Sequence, residues 1–147
     1  MTRLPAGRYT AVLLFALGFG QASAAPAYRI EGDAIREPLA ATGDAARGRA
    51  IAIDRNRGAC VLCHVLPEPN VRFMGTMGPG LAGVGSRYDA GQLRLRVVDM
   101  TRVKPQATMP SYYRTEGLQQ VAVQYRDKTV LTAQDVEDVI AYLGTLK

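Results

Sequence analysis

The stretch Ala59-Cys60-Val61-Leu62-Cys63-His64, ACVLCH, holds the only two cysteines and the only histidine of the 147-residue chain. Three reactive side chains within five positions need a shared purpose, and four chemistries compete for them. A zinc site takes four ligands, commonly from two Cys/His pairs; there is no second pair, so a carboxylate would have to complete the set. A thioredoxin-like dithiol sits beside a strand-helix-strand pattern, which is missing from this sequence. A disulfide across two intervening residues would close almost no loop, stabilise little through chain entropy and leave His64 without a role.

The fourth chemistry uses all three residues. C-x-x-C-H is the local signature of c-type haem attachment. Two thiols about a helical turn apart form thioethers to the two vinyl groups on one porphyrin edge, and the next residue brings its imidazole to the iron. One covalently bound haem c is therefore the expected cofactor, anchored by Cys60 and Cys63, with His64 as an iron ligand.

The N-terminal residues agree with that chemistry. Arg3 and Arg8 form a positive n-region, Ala11 to Phe19 (AVLLFALGF) an apolar h-region, and Ala22-Ser23-Ala24 a small-residue site that fits cleavage before Ala25. Residues 1–24 thus read as a secretory signal peptide, and a periplasmic location follows. A retained anchor would need about 20 apolar residues, whereas this run breaks at Gly18, Gly20 and Gln21; no membrane span is expected after cleavage. Loss of 24 residues from 147 leaves 123, enough for one domain with one core. Arg3 and Arg8 leave with the signal, so 16 basic side chains face 13 acidic ones. With no run of five or six like charges, nucleic acid is not an expected partner. Arginine outnumbers lysine fifteen to three, which suits planar contacts with carboxylates at an interface.

Residues 25–43, rich in Ala, Pro and Gly without a sustained period, read as an extended N-terminal arm that wraps its own domain or a partner. Asp44 fits the N-cap of a helix with Ala46, Ala50, Ile51 and Ile53 partly on one face, expected to deliver the cysteines near its C-terminal end. A long Gly/Pro-rich loop follows His64, of a size usually organised around something. Asp89 to Met100 fits a second helix, with Leu93, Val97 and Met100 on one stripe. Residues 101–114 return to loop, 116–125 form a weaker helical stretch, and 128–131 a brief extended connection. Thr132 to Asp135 has capping-box spacing ahead of the stripe Val136, Val139, Ile140 and Leu143, with Gly144 as the expected stop. No pair of alternating segments supports a sheet.

His64 fills one face of the iron. With no second histidine, the other face is open, water-bound or filled by a methionine thioether, which raises the reduction potential relative to harder ligands. Four methionines follow the signal: Met74, Met77, Met100 and Met109. Met100 lies on an apolar helical stripe, where a core role is the ordinary one. Met74 and Met77 follow His64 so closely that the chain would have to pass tightly round the porphyrin edge. Met109 lies in a loop stiffened by Pro105 and Pro110 and is the favoured candidate, against a Met that simply fills a gap.

Five segments carry a resemblance: GACVLCH (58–64), MGPGLAGVG (77–85), LRLRVVD (93–99), ATMPSYYR (107–114) and LTAQDVEDVIAYLGTL (131–146). From about Asp44 to the C-terminus the chain resembles the class I c-type cytochromes and, within them, the SoxX-like subunits of bacterial sulfur-oxidation systems. CxxCH marks only haem c; the Met-Pro-x-Tyr-Tyr segment with the L-T-x-x-x-V-E-D-V-x-A-Y-L ending is more specific. The resemblance implies an all-α class I cytochrome c-like fold over residues 44–147, helices and long loops wrapped around one covalently attached haem. It implies His64 and Met109 as axial ligands, and a Pro79 carbonyl that accepts a hydrogen bond from the other ring nitrogen of His64. It also implies that the terminal helices cross near the haem, the C-terminal stripe packing on the helix that ends at Cys60. In function it implies a heterodimer with a haem-bearing SoxA-like subunit. That pair joins thiosulfate oxidatively to a cysteine of a SoxYZ-like carrier; this chain accepts the electrons and passes them to a downstream acceptor. An independent soluble monohaem carrier and a gas-binding haem with an open distal site are the competing functions.

Overall fold

A computed structural model describes residues 27–147; the signal-peptide reading of residues 1–24 lies outside the described residues. Among the described residues four α-helices carry the architecture: α1 (Ala45–Ile53), α2 (Val84–Arg87), α3 (Ala90–Asp99) and α4 (Ala133–Thr145). Between them run long loops with 3-10 turns at Cys60–Leu62, Met100–Arg102 and Val123–Tyr125. Among the described residues the only strand-like pairing is an isolated bridge between Glu31 and Ala34, so the all-α expectation holds. None of the described helices is long and apolar enough to cross a membrane.

Helices α1 and α4 form the frame by crossing backbone against backbone. A Cβ at Gly48 would collide with the Asp138 carbonyl, and one at Gly43 with the Glu137 carbonyl, so only glycines let the helices approach this closely. Asp138 locks the crossing. It accepts from the Asp44 amide at 2.8 Å and from Arg47 Nε at 2.7 Å. The Arg47 hydrogen bonds outweigh burial and hold its carboxyl down at about 2. Asp44 in turn caps α1, accepting from the Arg47 amide at 2.8 Å.

Helix α1 stops at Ile53, short of the cysteines. The expectation of one helix delivering and ending at Cys60 is corrected. Residues 54–58, DRNRG, offer no apolar side chain to bury, and Asp54 leaves helical geometry at ψ 115°. The cysteines instead start a separate 3-10 turn behind Ala59, whose φ of 53° is left-handed.

Helix α3 carries the expected cap at Asp89, reciprocated by Gln92 at 2.8 and 3.0 Å. It packs on α4 through Arg94 and Glu137, an ion pair at 2.7 Å with both side chains about 95% buried. A buried pair is tolerable only when its remaining hydrogen-bonding capacity is met, and the arm meets it. Arg94 donates to the Ile35 carbonyl at 2.7 Å, and Glu137 accepts the Leu39 amide at 2.9 Å. With Ala34 and Ile35 fully buried, the described part of the arm is wrapped on its own domain.

Helix α4 has the capping box between Thr132 and Asp135, both bonds at 3.1 Å. It runs through Gly144 to Thr145, past the expected stop. A glycine ends a helix by turning left-handed, and Gly144 does not; the Gly85 amide of α2 takes the Leu146 carbonyl at 2.9 Å instead. The helical stretch expected at 116–125 is reduced to its last turn, because Gly117 and Gln120 both take positive φ.

Candidate haem site

Cys60, Cys63 and His64 line one cavity together with the sequence-distant Pro79 and Met109; its volume of about 600 Å³ is within the roughly 300–1,000 Å³ range of small-molecule and cofactor sites. Its remaining wall is largely apolar, drawn from Leu81 and Val84, from Leu93 and Val97 of α3, and from Leu131, Val139 and Leu143. A larger cleft of about 1160 Å³ lies under residues 113–133. It contains no cysteine, histidine or methionine, so its size gives it no claim on this chemistry.

One wall is built by the CxxCH turn and the loop that returns beside it. The amides of Gly75, Gly78 and Leu81 donate to the carbonyls of Val61, Cys63 and Val65 at 2.8, 2.7 and 2.9 Å. The loop passes so close at Gly78 that a Cβ there would collide with the imidazole of His64. This pairing brings His64 Nδ1 to 2.7 Å from the Pro79 carbonyl. A carbonyl only accepts, so Nδ1 carries the proton and Nε2 keeps its lone pair for a metal. Gly78 is a site residue that the sequence reading passed over; the Met-Gly-Pro-Gly run was its signal.

The opposing loop, residues 101–114, carries Met109 and is tied down by a buried carboxylate. Asp99, fully buried, accepts from the Thr101 amide and hydroxyl at 3.1 and 2.6 Å and from Ser111 Oγ at 2.9 Å. Arg114 Nε lies 2.7 Å from its other oxygen, an ion pair without the alignment of a hydrogen bond. Burial alone would push the Asp99 carboxyl up; the bonds from Thr101 and Ser111 and the Arg114 charge win and hold it below the usual carboxylate range. Tyr112 then joins the two walls, its hydroxyl donating to the Gly58 carbonyl at 2.7 Å, just ahead of the cysteines. Neither Asp99 nor Tyr112 was singled out for this role from the sequence.

The other methionines separate by position. Met74 turns its sulfur to the Leu66 amide at 3.1 Å and is not part of the cavity wall. Met77 and Met100 line the cavity beside Met109, but Met77 is 76% exposed, its sulfur 3.9 Å from Thr108 Oγ1. Among the arginines, Arg87 and Arg96 line the cavity, whereas Arg94 is buried against Glu137 and Arg72 is not part of the lining.

The thiols do not suit redox or zinc chemistry. Burial pushes the Cys60 thiol up to about 11, away from the depressed values of reactive dithiols. The two cysteines are free, and no group of three or more His, Cys, Asp or Glu side chains gathers among the described residues. An apolar cavity lined by two thiols, an imidazole offering Nε2 and the thioethers of Met77, Met100 and Met109 does fit a haem.

A family model for cytochrome c matches residues 45–147. The chain belongs to the cytochrome c family. As a member it binds haem c covalently, and its all-α fold is that of the class I cytochromes. The cytochrome is also similar to a chain in the crystal structure of SoxXA from P. pantotrophus, with 32% identity and a TM-score of 0.77, over 84% of this chain and 98% of that one. The resemblance to SoxX-like subunits therefore stands on structure as well as on motifs. A search of curated proteins finds no match.

Proposed function

We propose that this cytochrome is the electron-accepting subunit of a periplasmic SoxAX-like heterodimer. Its task is the oxidative conjugation of thiosulfate to a cysteine of a SoxYZ-like carrier. The observation that carries the reading is the likeness to the SoxXA chain over 98% of its length. Support for the periplasm comes from the signal sequence in residues 1–24.

Joining a thiosulfate sulfur to a cysteine thiol releases the thiol proton and two electrons, which a one-electron carrier takes up in two successive transfers. Bound to this chain, haem c supplies reversible one-electron transfer. The chain's own residues prepare the site for it. Cys60 and Cys63 hold the cofactor against loss outside the cytoplasm. Pro79 fixes the His64 tautomer and orientation so that Nε2 would be free to hold the iron. Met109, on the same cavity, would hold the iron through its thioether, a ligand that would favour a higher potential. The apolar wall excludes water, and the ties from Asp99 and Tyr112 keep the ligand loop from moving.

Production in a bacterial periplasm with the cognate SoxA-like subunit, followed by purification and haem counting in each chain, tests the reading. A stable pair with one haem on this chain and at least one on its partner is expected. A persistent monomer would leave an independent monohaem carrier.

A further inference from the structure

The wall that carries His64 also bears apolar side chains that packing within the chain leaves exposed. Leu62, Val65, Phe73 and Met77 expose 48%, 44%, 90% and 76% of their surface. The backbone pairing of residues 75–81 with 61–65 sets three of them on two adjacent segments, with Phe73 just ahead of the second. Met77 reaches the cavity wall, so the face is continuous with the edge of the cofactor site.

Phe73 stands out within it. Its φ of 58° is left-handed, a strained conformation for a bulky side chain. Arg55 fixes it there, donating to the carbonyls of Arg72 and Phe73 at 2.9 Å each. Backbone strain and a guanidinium thus hold a phenyl ring in water, for which folding alone gives no reason. The cationic side chains nearby divide into paired and unpaired ones. Arg49 and Arg57 are paired with Glu68 and Asp135. Among the described residues Arg55, Arg72 and Lys104 have no carboxylate partner.

We propose that this face docks the haem-bearing SoxA-like subunit, with Phe73 as the central anchor in an apolar pocket and Arg55 and Arg72 meeting carboxylates at the rim. The proposal rests on the heterodimer reading above. A redox partner must approach the edge of the cofactor, and this is the exposed apolar face that adjoins it. A second copy of the chain is disfavoured, because a self-complementary contact would bring like-charged arginine rims together. The other strongly exposed aliphatic residue, Val123 at 74%, lies in the 115–129 loop away from the cofactor cavity's lining.

The test uses the haem-loaded chain and the cognate SoxA-like subunit, with dissociation constants measured for wild type, Phe73→Asn, Arg72→Glu and Val123→Asn. Asparagine tolerates positive φ, so the loop backbone is kept while the anchor is lost. Phe73→Asn is expected to weaken binding at least about 30-fold, the effect of a buried aromatic anchor, with unchanged haem content and visible spectrum. Arg72→Glu should slow association and flatten its salt dependence, and Val123→Asn should change nothing. Wild-type affinity in Phe73→Asn would overturn the proposed face and leave the heterodimer reading intact. A wild-type chain that never binds the subunit would remove both. Self-association of the wild type that Phe73→Asn abolishes would show a second copy on the face and also overturn the proposal.

Discussion

The two walls of the haem cavity are held by different means. The cysteine wall is a backbone construction: a 3-10 turn and a returning loop joined amide to carbonyl at Gly75, Gly78 and Leu81, within about twenty residues of chain. The methionine wall is a side-chain construction, in which the loop of residues 101–114 hangs from the buried Asp99 and is joined to the other wall by Tyr112. A cofactor bonded covalently to the first wall stays in place when the second loosens. Damage to the cysteine wall should therefore abolish the holoprotein, whereas damage to the methionine wall should leave the covalent haem in place while it loosens the loop and changes what fills the second ligand position.

The largest expected effect comes from the cysteine wall. The double variant Cys60→Ser, Cys63→Ser should emerge without covalent haem and largely unfolded, since a small domain with long Gly/Pro loops has little else to organise it. Haem staining of denatured protein and far-ultraviolet circular dichroism read both outcomes; a well-structured apo spectrum would contradict the dependence on cofactor. Next comes Met109→Ala. It should keep its haem, lose the weak near-infrared sulfur-to-iron band and bind carbon monoxide readily when reduced. Unchanged spectra would transfer the ligand role to Met77 or Met100, which share the cavity.

Asp99→Ala probes the methionine wall without touching the ligand. Removing one partner of a buried ion pair costs about 3–5 kcal/mol, so chemical denaturation should shift by that order, and the sulfur-to-iron band should weaken at full haem content. Acid reaches the same group. The folded-state pKa of Asp99 is depressed, so the stability it contributes is present above the unfolded value and lost as pH falls through the folded one. Asp138 behaves alike at the helix crossing, between its ordinary 3.8 and about 2. Titration below pH 4 should thus dim the methionine band while the thioethers persist, with Arg102 and Arg114 left facing a neutral Asp99. The smallest effect belongs to Tyr112→Phe, which removes the hydroxyl bond to the Gly58 carbonyl that joins the walls. A loss of about 1 kcal/mol is expected, read as faster hydrogen exchange at Gly58 and Ala59.

The same contrast explains what the sequence made legible. The cysteine wall is local, so CxxCH disclosed its chemistry in five residues, and a long Gly/Pro loop after it signalled something to wrap. Met109 was favoured by comparing four methionines and by the family resemblance, because at 45 residues from His64 no local spacing marks it. Asp99 and Tyr112 went unassigned: their partners Ser111 and Gly58 lie 12 and 54 residues away, and nothing in a solitary Asp or Tyr announces such a contact. The helix boundaries failed for a related reason. Ile53 and Gly144 were misread because termination depends on the next element, a polar turn in one case and the Gly85 amide in the other.

The most direct measurement is the intact mass of the secreted chain after denaturation and extraction of any loosely held cofactor. The account requires the cleaved polypeptide plus one haem, with visible absorbance travelling on the same species. A colourless protein at the mass of the bare polypeptide would contradict it.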